Sequence, residues 1–119
     1  MNLNVITKME IEYADSIYFT SSVKESVNRF IYNLACQCNS DNIGYIEYDA
    51  DCCDDANNIN ISKRIWMRML DRLAQLNTND SCIKNEDEEY TAGELYTIFR
   101  DIYKQSSKNN SDTIQLEWF

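Results

Sequence analysis

The side chains best able to do chemistry in this sequence are carboxylates and thiols. Glu86, Asp87, Glu88 and Glu89 form its densest charge run, and Asp49, Asp51, Asp54 and Asp55 make a second acidic cluster. Two carboxylates suffice for the acid and base roles of glycoside hydrolysis. A short α+β chain with no evident cleft signal is a poor frame for that work, so no catalytic residue is assigned. Asp49-x-Asp51 followed by Asp54-Asp55 has the look of a calcium loop. However, Asp54 stands at the sixth position, where such a loop needs glycine, and Asn60 stands at the twelfth, where it needs a bidentate glutamate. The segment is not an EF-hand.

The five cysteines are Cys36, Cys38, Cys52, Cys53 and Cys82. Neither Cys36-x-Cys38 nor Cys52-Cys53 has the C-x₂₋₄-C spacing of a structural zinc knuckle. Positions two apart on a helix diverge by about 200°, so Cys36 and Cys38 face different ways. Free thiols are the expectation. The chain has no histidine, which removes Ser-His and Cys-His nucleophile activation and most catalytic zinc arrangements. Gly44 and Gly93 are the only glycines, too few for a phosphate loop or a dinucleotide fingerprint. No metal, cofactor or enzymatic activity is expected.

The carboxylates remain as surface charge. The formal net charge is -9, with 20 acidic residues against 11 basic ones. A field of this sign repels phosphate backbones and anionic lipid and attracts basic proteins. Neither nucleic acid nor membrane is therefore an expected partner, although solubility alone also accounts for an acidic balance. For Glu86–Glu89 the plain structural role is complementing a helix dipole, worth up to about 1 kcal/mol per acid. Four acids in succession exceed what capping needs, which favours an interaction role. Arg64, Arg68 and Arg72 recur at i, i+4 and i+8. Like charges so spaced repel unless acids face them, and they are read as partners for the protein's own carboxylates rather than as a phosphate site.

The elements that must position these groups follow from periodicity. Residues 1–7 read as a loose lead-in without a secretory signal pattern. Met9, Ile11 and Tyr13 alternate with Lys8, Glu10 and Glu12, which predicts a strand. Ser22 and Glu25 have capping-box spacing, ahead of a helix to about Cys38 with Val23, Val27, Phe30, Ile31, Leu34, Ala35 and Cys38 on one face. Asn39 to Asn42 ends it. Ile43 to Tyr48 suggests a strand, and Asn58 to Ile61 a short one. A second helix opens at Ser62, stapled by Ile61 and Trp66, with Ile65, Trp66, Met69, Leu70, Leu73 and Leu76 as its buried stripe. A connector over 81–89 leads to a second capping box, Thr91 to Glu94, with Tyr90 and Leu95 as its staple. The third helix turns Leu95, Ile98, Phe99, Ile102 and Tyr103 inward, and an alternating strand of Ile114, Leu116 and Trp118 follows, with Phe119 facing the other way. Residues 1–119 form one α+β domain of two layers, a small, mostly antiparallel sheet with about three helices on one face.

The pattern Tyr90-Thr91-x-x-Glu94-Leu95, then Phe99, Tyr103, Ser106, Asp112 and a closing Ile114-x-Leu116-x-Trp118-Phe119, resembles the C-terminal part of small bacterial immunity proteins. These are the cognate antitoxins of polymorphic and contact-dependent-inhibition toxins. The resemblance covers about the last quarter of the chain and consists mainly of fold-making positions. It implies a cytoplasmic protein that binds and blocks the toxic domain of one effector, often a nuclease, and it transfers no contact residue. The charge reading assigns the partner surface to Asp49, Asp51, Asp54, Asp55, Glu86, Asp87, Glu88 and Glu89. An alternative is a phage-encoded nucleic-acid mimic that inhibits a host defence nuclease. A mimic should spread its carboxylates over an extended face, whereas these cluster.

Overall fold

The computed structural model describes residues 3–6, 19, 23–48, 58–86, 88–107 and 111–118. Its elements run β1 (Leu3–Ile6), α1 (Lys24–Cys38), β2 (Ile46–Tyr48), β3 (Asn58–Ser62), α2 (Lys63–Gln75), β4 (Ser81–Lys84), β5 (Glu89–Thr91), α3 (Ala92–Ser106) and β6 (Thr113–Trp118). The expected α+β architecture is present, with, among the described residues, three helices, a four-stranded sheet ordered β1-β6-β3-β2 and a separate β4-β5 hairpin. Every pairing is antiparallel.

Alternation in two strands decides which side of the sheet is covered. In β6, Ile114, Leu116 and Trp118 are buried while Thr113, Gln115 and Glu117 are only partly so. In β3, Ile59 and Ile61 are fully buried between half-exposed Asn58, Asn60 and Ser62. Because strand side chains alternate faces, one face is apolar and the other polar. The helices cover the apolar face: α3 packs on β1 and β6, α2 on β3 and β6, and α1 on β2, with α2 against both other helices. Trp66 and Phe99 bind α2 to α3, with ring centroids 4.7 Å apart, and the Trp66 indole N–H donates to the Phe99 carbonyl at 2.9 Å. That bond satisfies a donor that burial would otherwise strand.

Among the three described helices only α3 has a side-chain N-cap; Val23 on α1 and Ser62 on α2 make no such bond. Thr91 and Glu94 close the expected capping box on α3, Thr91 Oγ1 accepting from the Glu94 amide at 3.3 Å and Glu94 Oε1 from the Thr91 amide at 3.2 Å. Thr91→Ala should therefore destabilise the fold by about 1 kcal/mol in denaturant titration, with Thr91→Ser close to neutral. On α1 the outcome differs. Val23 occupies the N-cap with no side-chain cap, and Glu25 pairs with Arg29 at 2.8 Å instead of reaching back; Ser22 lies outside the described residues. On the second helix Ile61 and Trp66, the residues of the expected staple, are both fully buried. Its stripe ends at Leu73, because the backbone turns extended at Leu76, which is 41% exposed.

Two further expectations need correction. The supposed lead-in contains β1, which pairs with β6 from Leu3 opposite Trp118 to Ile6 opposite Gln115. Long-range pairing made a strand of a segment with little local signal. The alternating stretch 8–13, like Phe119, lies outside the described residues. The connector over 81–89 is the β4-β5 hairpin, with a bulge between Ser81 and Ile83. Its apolar anchor, Ile83, is buried against the helices, which gives a short, charged segment reason to pair.

Candidate functional site

The described part of the predicted acidic surface is the turn of the hairpin. The Asn85 N–H donates to the Glu88 carbonyl at 2.8 Å, and the Glu88 N–H donates to Asn85 Oδ1 at 2.7 Å. Asparagine opens such turns because its side chain replaces one backbone acceptor. Glu86 and Glu89 are exposed and Glu88 is half-buried. Asp87, together with Asp49, Asp51, Asp54 and Asp55, lies outside the described residues, so the structure does not relate the two predicted clusters to one another.

The base of the hairpin is firmly held. The Ala92 N–H donates to the Asp80 carbonyl at 2.8 Å and the Gly93 N–H to the Thr78 carbonyl at 3.1 Å. A Cβ on Gly93 would lie 3.2 Å from both Thr78 Cβ and Thr78 O, so glycine lets this loop sit close against the start of α3. Tyr90 packs edge-on against Phe19 at 5.1 Å, and its hydroxyl donates to Glu88 Oε2 at 3.3 Å. Burial, and then the Glu88 carboxylate, pushes the Tyr90 hydroxyl pKa above its ordinary value. Tyr90 therefore stays neutral and keeps its proton for Glu88.

Glu86, Glu88 and Glu89 precede the first turn of α3. In the first turn of α3 the acid is Glu94, already engaged in the capping box. Glu89 sits opposite Lys84 across the hairpin, with a 3.9 Å bridge between well-exposed side chains. A contact that long and that exposed is worth about 1 kcal/mol or less. The Lys84–Glu89 bridge therefore adds little to stability.

The arginine stripe divides. Arg68 donates to the Cys38 carbonyl at 3.2 Å and to Asp41 Oδ1 at 2.8 Å, and that hydrogen bond holds the Asp41 carboxyl below its ordinary range. Arg64 and Arg72 form no ion pair among the described residues. Arg72 instead lines a shallow groove of about 230 Å³ with Gln37, Cys38, Ser40 and Arg68. Cys38 is buried, Cys36 exposed and Cys82 half-buried, all as free thiols; Cys52 and Cys53 lie outside the described residues. Burial raises the Cys38 thiol pKa, with Arg72 and Arg68 opposing the rise. Among the described residues no group of three His, Cys, Asp or Glu side chains is placed to hold a metal.

Sequence reasoning missed a second polar surface, the face of the sheet that points away from the helices. Register sets Glu47 opposite Asn60, Asn60 opposite Gln115, and Asn58 opposite Glu117. Tyr45 stands at its corner, 47% exposed. Its N–H donates to Ser62 Oγ at 2.7 Å, and the Ser62 N–H donates to its carbonyl at 3.0 Å. Burial, then the charge of Glu47 and a hydrogen bond to it, raises the Tyr45 hydroxyl pKa. The signal was visible in the alternation Asn58-Ile59-Asn60-Ile61, but the strand pairing that aligns these polar positions was not.

Among the described residues no helix is long and apolar enough to cross a membrane. Compared with protein-family models, with curated proteins and with solved structures, the chain matches none.

Proposed function

We propose that this protein is a binding module that holds and blocks a basic protein partner, in the manner of a cytoplasmic immunity protein acting on the nuclease domain of a cognate toxin. The observation that carries the reading is the placement of Glu86, Glu88 and Glu89 on a braced hairpin whose second strand leads into the capped N-terminus of α3. A basic groove built for phosphate is complementary to such a turn, and charge steering raises association rates by roughly 10–1,000-fold. An inhibitor of this kind needs no catalytic group. The basic residues of α2, Lys63, Arg64, Arg68 and Arg72, break up the even anionic face that a nucleic-acid mimic needs, which favours the immunity reading over mimicry.

Co-expression with the product of the adjacent upstream gene tests it. If that product is toxic alone, this protein should restore growth and co-purify with it; toxicity without rescue or co-purification refutes the proposal. Within the complex, Glu86→Lys, Glu88→Lys and Glu89→Lys together should slow association at least about tenfold at low salt, with the difference shrinking as salt rises. Stopped-flow rates unchanged by the three reversals would move the contact surface elsewhere.

A further inference from the structure

We infer that the groove between the end of α1 and the outer side of α2 is a docking site for a carboxylate side chain of a protein partner, received by Arg68 and Arg72. The inference does not depend on the acidic hairpin, since it assigns a different surface and a contact of the opposite charge.

The primary observation is a guanidinium held by one nitrogen and unbonded at the other two. Arg68 makes both of its hydrogen bonds through Nη1, to the Cys38 carbonyl at 3.2 Å and to Asp41 Oδ1 at 2.8 Å. Its Nη2 and Nε donate to no described residue. Those two nitrogens form one edge of the planar fork that meets a carboxylate with two parallel bonds. Arg68 borders the open groove and its side chain is 45% exposed, so a partner reaches it from solvent. Because Asp41 and the end of α1 already hold the guanidinium, little side-chain entropy remains to be lost when a ligand binds.

Arg72 stands one turn further along α2 and borders the same groove. It is exposed and forms no ion pair among the described residues, although acidic residues outnumber basic ones 20 to 11. Its place in the last turn of α2 complements the helix dipole, a role that uses its charge and none of its donors. Positions i and i+4 bring Cβ atoms within about 5–6 Å, so one carboxylate can bridge the two guanidiniums, with Gln37 and Gln75 as flanking amides. Asp71 also borders the groove and Asp41 adjoins Arg68. Those two acids, with the net charge of -9, disfavour a phosphate dianion or a nucleic acid and leave a single carboxylate as the fitting anion. The groove is shallow and holds about 230 Å³, less than the roughly 300–1,000 Å³ of pockets that bury a free small ligand. A side chain carried on a larger surface fits it better. Met67, adjacent to Arg68 and 52% exposed, offers that surface an adaptable apolar contact.

The test uses the full chain, isotope-labelled, with NMR detection of the arginine Nε–H groups. The probes are a capped Gly-Glu-Gly peptide, its Gly-Gln-Gly counterpart, which keeps the shape and loses the charge, and inorganic phosphate. Saturable shifts at Arg68 and Arg72 are expected with the glutamate peptide and absent with the glutamine peptide. Arg64, on the same helix but outside the groove, should not shift. Arg72→Gln should weaken binding about tenfold and, at an exposed position, leave the melting temperature unchanged. Arg68→Lys keeps the charge but loses the fork, and should weaken binding comparably. Equal shifts at all three arginines, or shifts at none, would overturn the site. Tighter binding of phosphate than of the glutamate peptide would overturn the choice of a carboxylate. Binding unaffected by both substitutions, or a lower melting temperature in Arg72→Gln, would assign these arginines a purely structural role and overturn the inference. None of these outcomes bears on the three glutamate reversals that test the hairpin, so the two readings fail separately.

Discussion

Trp118→Ala should destabilise the protein by about 3–5 kcal/mol, lowering its melting temperature by on the order of 10–25 °C. Natural domains retain only about 5–15 kcal/mol in total, so this one change comes near to unfolding the molecule. The size of the effect has two sources. The indole is 2% exposed, and its removal leaves a cavity between β6 and the helices. Its N–H also donates to Asn28 Oδ1 on α1 at 2.8 Å, within the core. Trp118→Phe separates the sources, because it keeps most of the packing but removes the donor to the buried Asn28 Oδ1, at a cost of about 1–3 kcal/mol. Asn28→Leu strands the indole N–H in the same way. The double substitution Asn28→Leu, Trp118→Phe should cost less than the sum of the singles. Strict additivity in calorimetry would show that the hydrogen bond contributes nothing.

Gly44→Ala has the next largest effect, about 1–3 kcal/mol. A Cβ at this position would lie 2.7 Å from both Ser62 Cβ and Ser62 Oγ, and 3.1 Å from Ile65 Cδ1. None of these can retreat easily. Ser62 Oγ is fixed by Tyr45, accepting from its N–H at 2.7 Å and donating to its carbonyl at 3.3 Å. On the other side the Asn39 side chain brackets Gly44, donating to its carbonyl at 3.2 Å and accepting from its N–H at 3.1 Å. The added methyl must push the start of β2 away from β3 or move the N-cap of α2. Adding Ser62→Gly should restore part of the lost stability, because it removes the atoms in the way. If Gly44→Ala melts at the same temperature as the parent, the close approach of these strands is not a constraint.

Both effects depend on contacts between distant segments, and that marks what the sequence could show. The box at Thr91 and Glu94 was legible because its atoms are three residues apart. The apolar stripes of α1, α2 and α3 were legible through their period. Asn28 was not, because it falls among the stripe residues of α1 and its partner lies 90 positions away. The hairpin was hidden because Ser81–Lys84 is short, charged and bulged, so its strand character comes from burying Ile83 rather than from alternation. The acidic turn was visible as charge, but its display at the end of a hairpin required the pairing of Lys84 with Glu89. The alignment of Glu47, Asn60 and Gln115 depends on three strands, which no local pattern encodes.

The place of β6 in the sheet bears on how the protein comes into being. This strand joins β1 to β3, pairing Leu3 with Trp118 and Ser62 with Thr113. Until residues 113–118 have left the ribosome, β1 lacks its one partner strand among the described residues and β3 is paired with β2 alone. The helices can form earlier, but their apolar faces then have no complete sheet to cover. Synthesis proceeds at about 5–20 residues per second, so a nascent chain spends seconds with that surface open. Folding should then be a late, nearly all-or-none event with much of its contact order in one strand. A chain stalled before Ile114 is expected to be a client for chaperones and proteases rather than a partly active protein.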